Sequence, residues 1–384
     1  MLLSATAVSS ITLQPWQSFI KGSSEYIKKL LRKVVILKNK WLSKILPLVL
    51  VTCLVASFVT ACDQAEPTTT TNDTVVITDM AGRSVEIPSN LTRVASVFPY
   101  VTQIQLALGK GDLLVAVDSA SSFNENLAGV YPVVTSVPAV GNAFNINKEA
   151  LLTTDPQLVI TVTWDQDPDK TQQMLGVPVI CVDLNYYKDG IEFLGEVLGV
   201  ESRAQELTRF YDDTIAHIQS KLSSLDESEY KRVYVAAGGG SKSTYGAEST
   251  WHYEVTESGG VNVAADLIGG GSHDVSMEQI IEWDPEVIIL DKDCPDSVQD
   301  VLNDSQWQSV TAIKNGQVYA SPDGYLDTFG RPHLESVLCR IWAADIFYGD
   351  LMGFDVIAEA KDFYQEFYGK AFTTAQIEDI LNIE

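Results

Sequence analysis

The sequence predicts an α/β protein: two lobes of helix-wrapped, mainly parallel sheet, joined by one long connector helix, with a ligand cleft between the lobes. Three observations carry the prediction. Short apolar runs bounded by Gly, Pro and Asp alternate with helical patterns in the first half of the chain, as strands and covering helices of a parallel sheet do. From Glu192 to about Leu225 the period becomes that of a single amphipathic helix, and afterwards the strand–helix alternation restarts. Roughly 320 residues follow the apolar N-terminal segment, more than one core normally holds.

The segments divide in order. Residues 1–61 read as a signal region. Ile45 to Cys62, ILPLVLVTCLVASFVTAC, is an apolar run preceded by Lys38, Lys40 and Lys44 and ending in Val59-Thr60-Ala61-Cys62. A basic stretch, an apolar stretch and small residues before a cut make a secretory signal. Cys after Thr-Ala resembles a bacterial lipobox, which implies that Cys62 is lipidated and becomes the mature N-terminus. The alternative is a plain membrane anchor, for which the 17 residues from Ile45 to Ala61 barely reach across a hydrocarbon core. Residues 1–37 lie farther upstream than a signal needs. They read as a mis-called start, with Val34, Val35 or Leu37 as start codons, or as an extension with a short amphipathic helix.

Residues 62–74 form a polar, Thr-rich tether, DQAEPTTTTN at its centre. An N-terminal lobe follows at 75–195. Thr74 to Pro88 is a hairpin around an Ala-Gly turn. Arg93 to Val97 is a strand leading into a helix over Val101 to Leu108, closed by Gly109. Leu113 to Val117, Leu158 to Val162 and Val177 to Val182 are further strands, with helices over Asn147 to Thr153 and Lys170 to Leu175. The connector helix occupies 196–226, its apolar stripe running through Leu207, Phe210, Tyr211, Ile215, Ile218 and Leu222. The second lobe, 227–384, has strands at Arg232 to Ala237, Val287 to Leu290 and Gln317 to Ala320, and helices over Val261 to Leu267 and His333 to Tyr348.

Charge excludes one class of partner. The chain has 26 basic and 51 acidic residues, and without residues 1–61 it keeps 18 and 50, a net charge of −32. Such a surface repels phosphate backbones, so no nucleic-acid partner is expected. Cys181, Cys294 and Cys339 have no CxxC spacing and the four His no HExxH arrangement, so no metal site, metalloprotease chemistry or cofactor is expected. A G-x-S-x-G elbow and a P-loop are also missing, which argues against the enzymes that share a two-lobe cleft.

Five motifs, in order, resemble one family. DMAGRSVEIP with TRVASVFPYVTQIQLALG, NINKEALLTTDPQLVI, ESGGVNVAAD, SMEQIIEWDPEVIIL and RPHLESVLCRIWAADIFYGDLM are similar to the class III substrate-binding proteins of ABC importers. Each half repeats a short helix with a Glu, then (T/W)-D-P, then an apolar strand, Pro ending the helix. The resemblance implies that Glu149 and Glu278 dock on permease arginines and that the partners are the permease and ATPase subunits of an ABC importer. It also implies that strand-end loops of both lobes form the cleft.

In those loops the residues singled out for ligand binding are Tyr100, Phe144, Trp164 and Tyr245, then Trp251, His252, Tyr325 and Arg331. Large aromatics suit a bulky planar ligand, and Arg331 offers a forked donor. The family implies a metal-chelate ligand: a ferric siderophore first, cobalamin as the alternative, haem or molybdate behind them.

Overall fold

The computed structural model describes residues 73–165, 167–184 and 187–383. Cys62, the signal region and the tether before Asp73 lie outside the described residues. Among the described residues no helix is long and apolar enough to cross a membrane.

Strands β1 (Thr74–Thr78) and β2 (Ser84–Pro88) form the expected antiparallel hairpin. Strands β3 (Val94–Ser96), β4 (Leu114–Ala116), β7 (Leu158–Val162) and β8 (Val179–Val182) make the first sheet, in the order β4-β3-β7-β8 and parallel throughout. A small hairpin, β5 (Gly141–Asn142) and β6 (Asn145–Ile146), stands beside it. Every residue of β3, β7 and β8 is buried, as in sheets covered by helices on both faces.

The second sheet is built from β9 (Arg232–Ala237), β10 (Gly240–Tyr245), β11 (Val261–Asn262), β12 (Ser272–Asp274), β13 (Val287–Leu290) and β14 (Val318–Ala320), in the order β12-β10-β9-β13-β14 with β11 beside β9. Its β9, β11, β13 and β14 are parallel, whereas β10 pairs antiparallel with both β9 and β12. Alternation along the strands sorts residues between two cores. Val233, Val235, Val287 and Ile289 face the large cluster shared with the first lobe; Tyr234, Ala236, Ile288 and Leu290 face a second cluster around Trp307.

Three expectations need correction. The helical pattern that begins at Glu192 is two helices, Tyr187–Val197 and Glu201–Leu222. Gly199 breaks it by adopting φ 67°, a left-handed position where other residues are strained. Val261 to Leu267 is not a helix: Val261 and Asn262 pair with Arg232 and Val233, and the helix lies earlier, at Thr250–Glu257. The C-terminal helix begins at Ser336, three residues after His333.

Two further ties link the lobes behind the cleft. Asn124 Nδ2 and Asn126 Nδ2 of the first lobe donate to the carbonyls of Leu326 (3.0 Å) and Tyr325 (2.8 Å). Helix Val356–Tyr368 packs Phe363 and Phe367 against Phe210 of the connector, and Tyr131 donates to the Phe367 carbonyl at 3.3 Å.

Candidate functional site

The strand-end loops of both sheets converge. From β3 the chain passes Phe98 into helix Pro99–Ala107, with Pro as its first residue, where the missing N–H costs no hydrogen bond. This turn aims Tyr100 across at the second lobe. The Tyr100 hydroxyl feels the charge of Asp327, and its ring lies 6.3 Å from that of His333. Burial, then the negative charge of Asp327, hold the Tyr100 phenol well above its ordinary range.

From β13 come Asp291 and Asp293, and from the loop after β14 comes Arg331. The guanidinium pairs with Asp291 at 3.5 Å and with Asp293. Burial opposes its charge, but Asp291 and then Asp293 more than offset that and keep it firmly protonated. Tyr245 stands at the end of β10; burial and then the Asp291 charge push its hydroxyl up to about 12. Lys292 is taken by Asp323. The floor of the cleft therefore carries carboxylates in excess of cations.

Above the floor the first lobe presents an aromatic wall. Phe98 meets Tyr100 (5.6 Å), Phe144 (6.2 Å) and Trp164 (5.5 Å) edge to face, the geometry that aromatic quadrupoles favour. Phe144 is 64% exposed and Trp164 39%. Two rings held open to solvent by a third are a ready apolar contact surface.

The other predicted residues sit elsewhere. Trp251 is buried, 2% exposed, and donates its indole N–H to Asp291 Oδ2 at 2.5 Å; it supports the floor from below and does not line it. Tyr325 packs its ring on Tyr364 (6.0 Å) and Phe372 (5.0 Å), while Lys370 donates to its hydroxyl at 2.6 Å. That ring anchors the interlobe loop and is turned into the C-terminal helices. His252 is half-buried, its imidazole pKa lowered by burial, with Nδ1 3.5 Å from Asn262 Nδ2. Phe98, Asp291, Asp293 and Asp327 lie in the expected cleft loops but were not among the ligand-binding residues; all but Asp327 fall at the carboxyl ends of apolar strands, which is the signal that finds them.

Glu149 and Glu278 are exposed, each in the first turn of a short helix, Lys148–Thr153 and Met277–Trp283. Asn147 and Ser276 cap these helices by accepting from Ala150 N and Gln279 N. The two carboxylates stand in matching positions, each in the first turn of the helix that precedes an Asp-Pro-strand unit.

Two lobes of wound sheet with a cleft at their strand ends, lined for contact, are the architecture of a solute-binding protein. The chain belongs to the periplasmic binding protein family, whose model matches residues 94–325, and so to the class III substrate-binding proteins of ABC importers that its motifs resemble; it is not an enzyme. It is 25% identical to the molybdate-binding protein MolA of Haemophilus influenzae over 325 residues, 77% of this chain and 92% of that one. With the vitamin B12-binding protein of Vibrio parahaemolyticus it shares 27% identity over 243 residues, 59% of this chain and 80% of that one. A periplasmic solute-binding protein from Veillonella parvula superposes with a TM-score of 0.68 at 26% identity, over 81% of this chain and 98% of that one.

Proposed function

We propose that this protein captures a metal chelate with broad apolar faces and little net charge, a corrinoid, and delivers it to the permease and ATPase of an ABC importer, tethered to the membrane through a lipid on Cys62. The observation that carries the ligand class is the aromatic wall, with Phe144 and Trp164 presented to solvent on Phe98. A macrocycle lying on these rings buries apolar area worth roughly 25 cal/mol per Å². The sequence points first to a ferric siderophore with cobalamin as the alternative; the exposed aromatic wall favours the corrinoid. A ferric hydroxamate is the second reading, favoured by the polar floor of Tyr100, Tyr245 and Arg331, which suits a ligand rich in carbonyl and N–O acceptors. Although a relative is named for molybdate, its 25% identity carries no ligand by itself.

Quenching of tryptophan fluorescence tests the reading, with cyanocobalamin, a ferric hydroxamate, haem and molybdate titrated into residues 73–384. Saturable quenching by cyanocobalamin, weakened in Trp164→Ala, is the expected result. Binding of haem or molybdate with no response to either low-charge chelate defeats it.

A further inference from the structure

We infer that Asp291, held by Trp251, is a specificity-determining residue: with Asp293 it occupies Arg331 and so closes the cleft to anions. This rests on the cleft being the ligand site, and it concerns which ligands the site refuses. Arg331 is the guanidinium that the cleft floor offers, and an unpaired one would be a fork for a carboxylate, phosphate or metal oxyanion. Here it has two carboxylates of its own chain, Asp291 at 3.5 Å and Asp293.

The buried partner is fixed by two donors. The Trp251 indole N–H points at Asp291 Oδ2, 2.5 Å away, and the backbone N–H of Asp293 donates to Asp291 Oδ1 at 2.9 Å. Trp251 fits only because residue 330 is glycine: a Cβ there would lie 2.2 Å from the indole nitrogen, and its φ of 83° is one that other residues rarely adopt. Gly330 therefore lets Trp251 reach Asp291, Trp251 orients Asp291, and Asp291 with Asp293 neutralises Arg331.

An incoming anion must displace these carboxylates, of which Asp291 is buried and held by Trp251. Repulsion of a wrong ligand is as much a determinant of specificity as attraction of the right one. A neutral chelate meets no such barrier.

The experiment uses residues 73–384 as wild type, Asp293→Asn, Asp291→Asn plus Asp293→Asn, and that double variant with Arg331→Gln, each titrated with molybdate and with cyanocobalamin. Wild type is expected to ignore molybdate. The double variant should bind it at least about tenfold more tightly, a change of 1.4 kcal/mol, and Arg331→Gln should abolish the gain. Asp293→Asn, whose side chain is 64% exposed and whose folding is not at stake, should show a smaller gain. If the double variant is misfolded by circular dichroism, Asp293→Asn decides alone. Molybdate binding in wild type equal to that of the variants overturns the inference, as does no gain in any folded variant. The wild-type cyanocobalamin titration reads the proposed function separately, so failure of one is not failure of the other.

Discussion

Asp155 and Asp284 occupy the same left-handed corner in the two lobes, with φ 46° and 41°. Each follows the helix that carries Glu149 or Glu278 and precedes the Pro that leads into a strand. The equivalence extends to an arginine at the start of another strand in each sheet. Arg93 Nε donates to the Asp155 carbonyl at 2.6 Å and Arg232 Nε to that of Asp284 at 3.2 Å. The backbone N–H groups of Arg93 and Arg232 donate to Gln157 Oε1 (3.0 Å) and Glu286 Oε2 (3.2 Å). The repeated unit is thus a clasp of five positions, with the left-handed Asp one residue before the proline in each lobe.

That corner yields the first prediction. Asp tolerates the left-handed region, whereas alanine there costs about 1–2 kcal/mol. The Asp155 side chain is 86% exposed, so Asp155→Gly should match or exceed wild-type stability and Asp155→Ala should fall below it by about 1 kcal/mol. At Asp284 glycine should also destabilise, because the carboxylate accepts from the N–H and hydroxyl of Thr311, both at 2.8 Å. Urea midpoints check this; equal stability of the Ala and Gly variants at both sites contradicts it.

The paired acidic positions give a second. Exposed ion pairs are worth about 0.2–1 kcal/mol each, so Glu149→Ala with Glu278→Ala should weaken permease docking roughly 2- to 30-fold. Transport and stimulated ATP hydrolysis in vesicles should fall while ligand affinity stays the same. Undiminished transport, or lost ligand binding, refutes the assignment.

Hinge motion should be small. The connector Glu201–Leu222 has neither Gly nor Pro, so every interior turn keeps its hydrogen bonds. The Asn124 and Asn126 bonds and the Phe363–Phe367 packing hold the lobes from a second direction. Small-angle scattering of free and cyanocobalamin-loaded protein should superpose, and a clear compaction on loading speaks against a rigid connector.

Glu254 supplies a pH dependence. Burial raises its carboxyl from 4.5 to about 7 in the folded chain, Arg340 only partly opposing this. Between those values the folded protein keeps a proton that the unfolded chain has released. The contribution is therefore complete below the unfolded value and declines as pH rises towards 7. Glu254→Gln should gain stability relative to wild type on going from about pH 5 to about pH 8, read from urea midpoints. A difference that is flat with pH rules it out.

The parts legible in the sequence were those with local causes. β7, β8 and β13 are apolar runs cut by Pro, Gly and Asp, and their burial on both faces follows from that composition. β10 escaped notice because its buried residues are Ser243 and Thr244, with no apolar alternation to mark a strand. Trp251 and Tyr325 read as cleft aromatics from their loops, but distant partners decide where they point: Asp291 and Gly330 for one, Tyr364 and Phe372 for the other. Arg331 was legible as a donor, and its neutralisation by two carboxylates was not.

Helix Val356–Tyr368 places Phe363, Phe367 and Tyr368 in the same apolar cluster as Val94, Leu194 and Leu207. Those aromatic rings are synthesised after everything they cover. Until the ribosome has delivered them, the first lobe has nothing to close against, and the emerging chain carries an open apolar flank throughout translation. A premature stop anywhere before this helix therefore yields an unsealed chain, prone to aggregation or degradation, and not a shorter receptor with one working half.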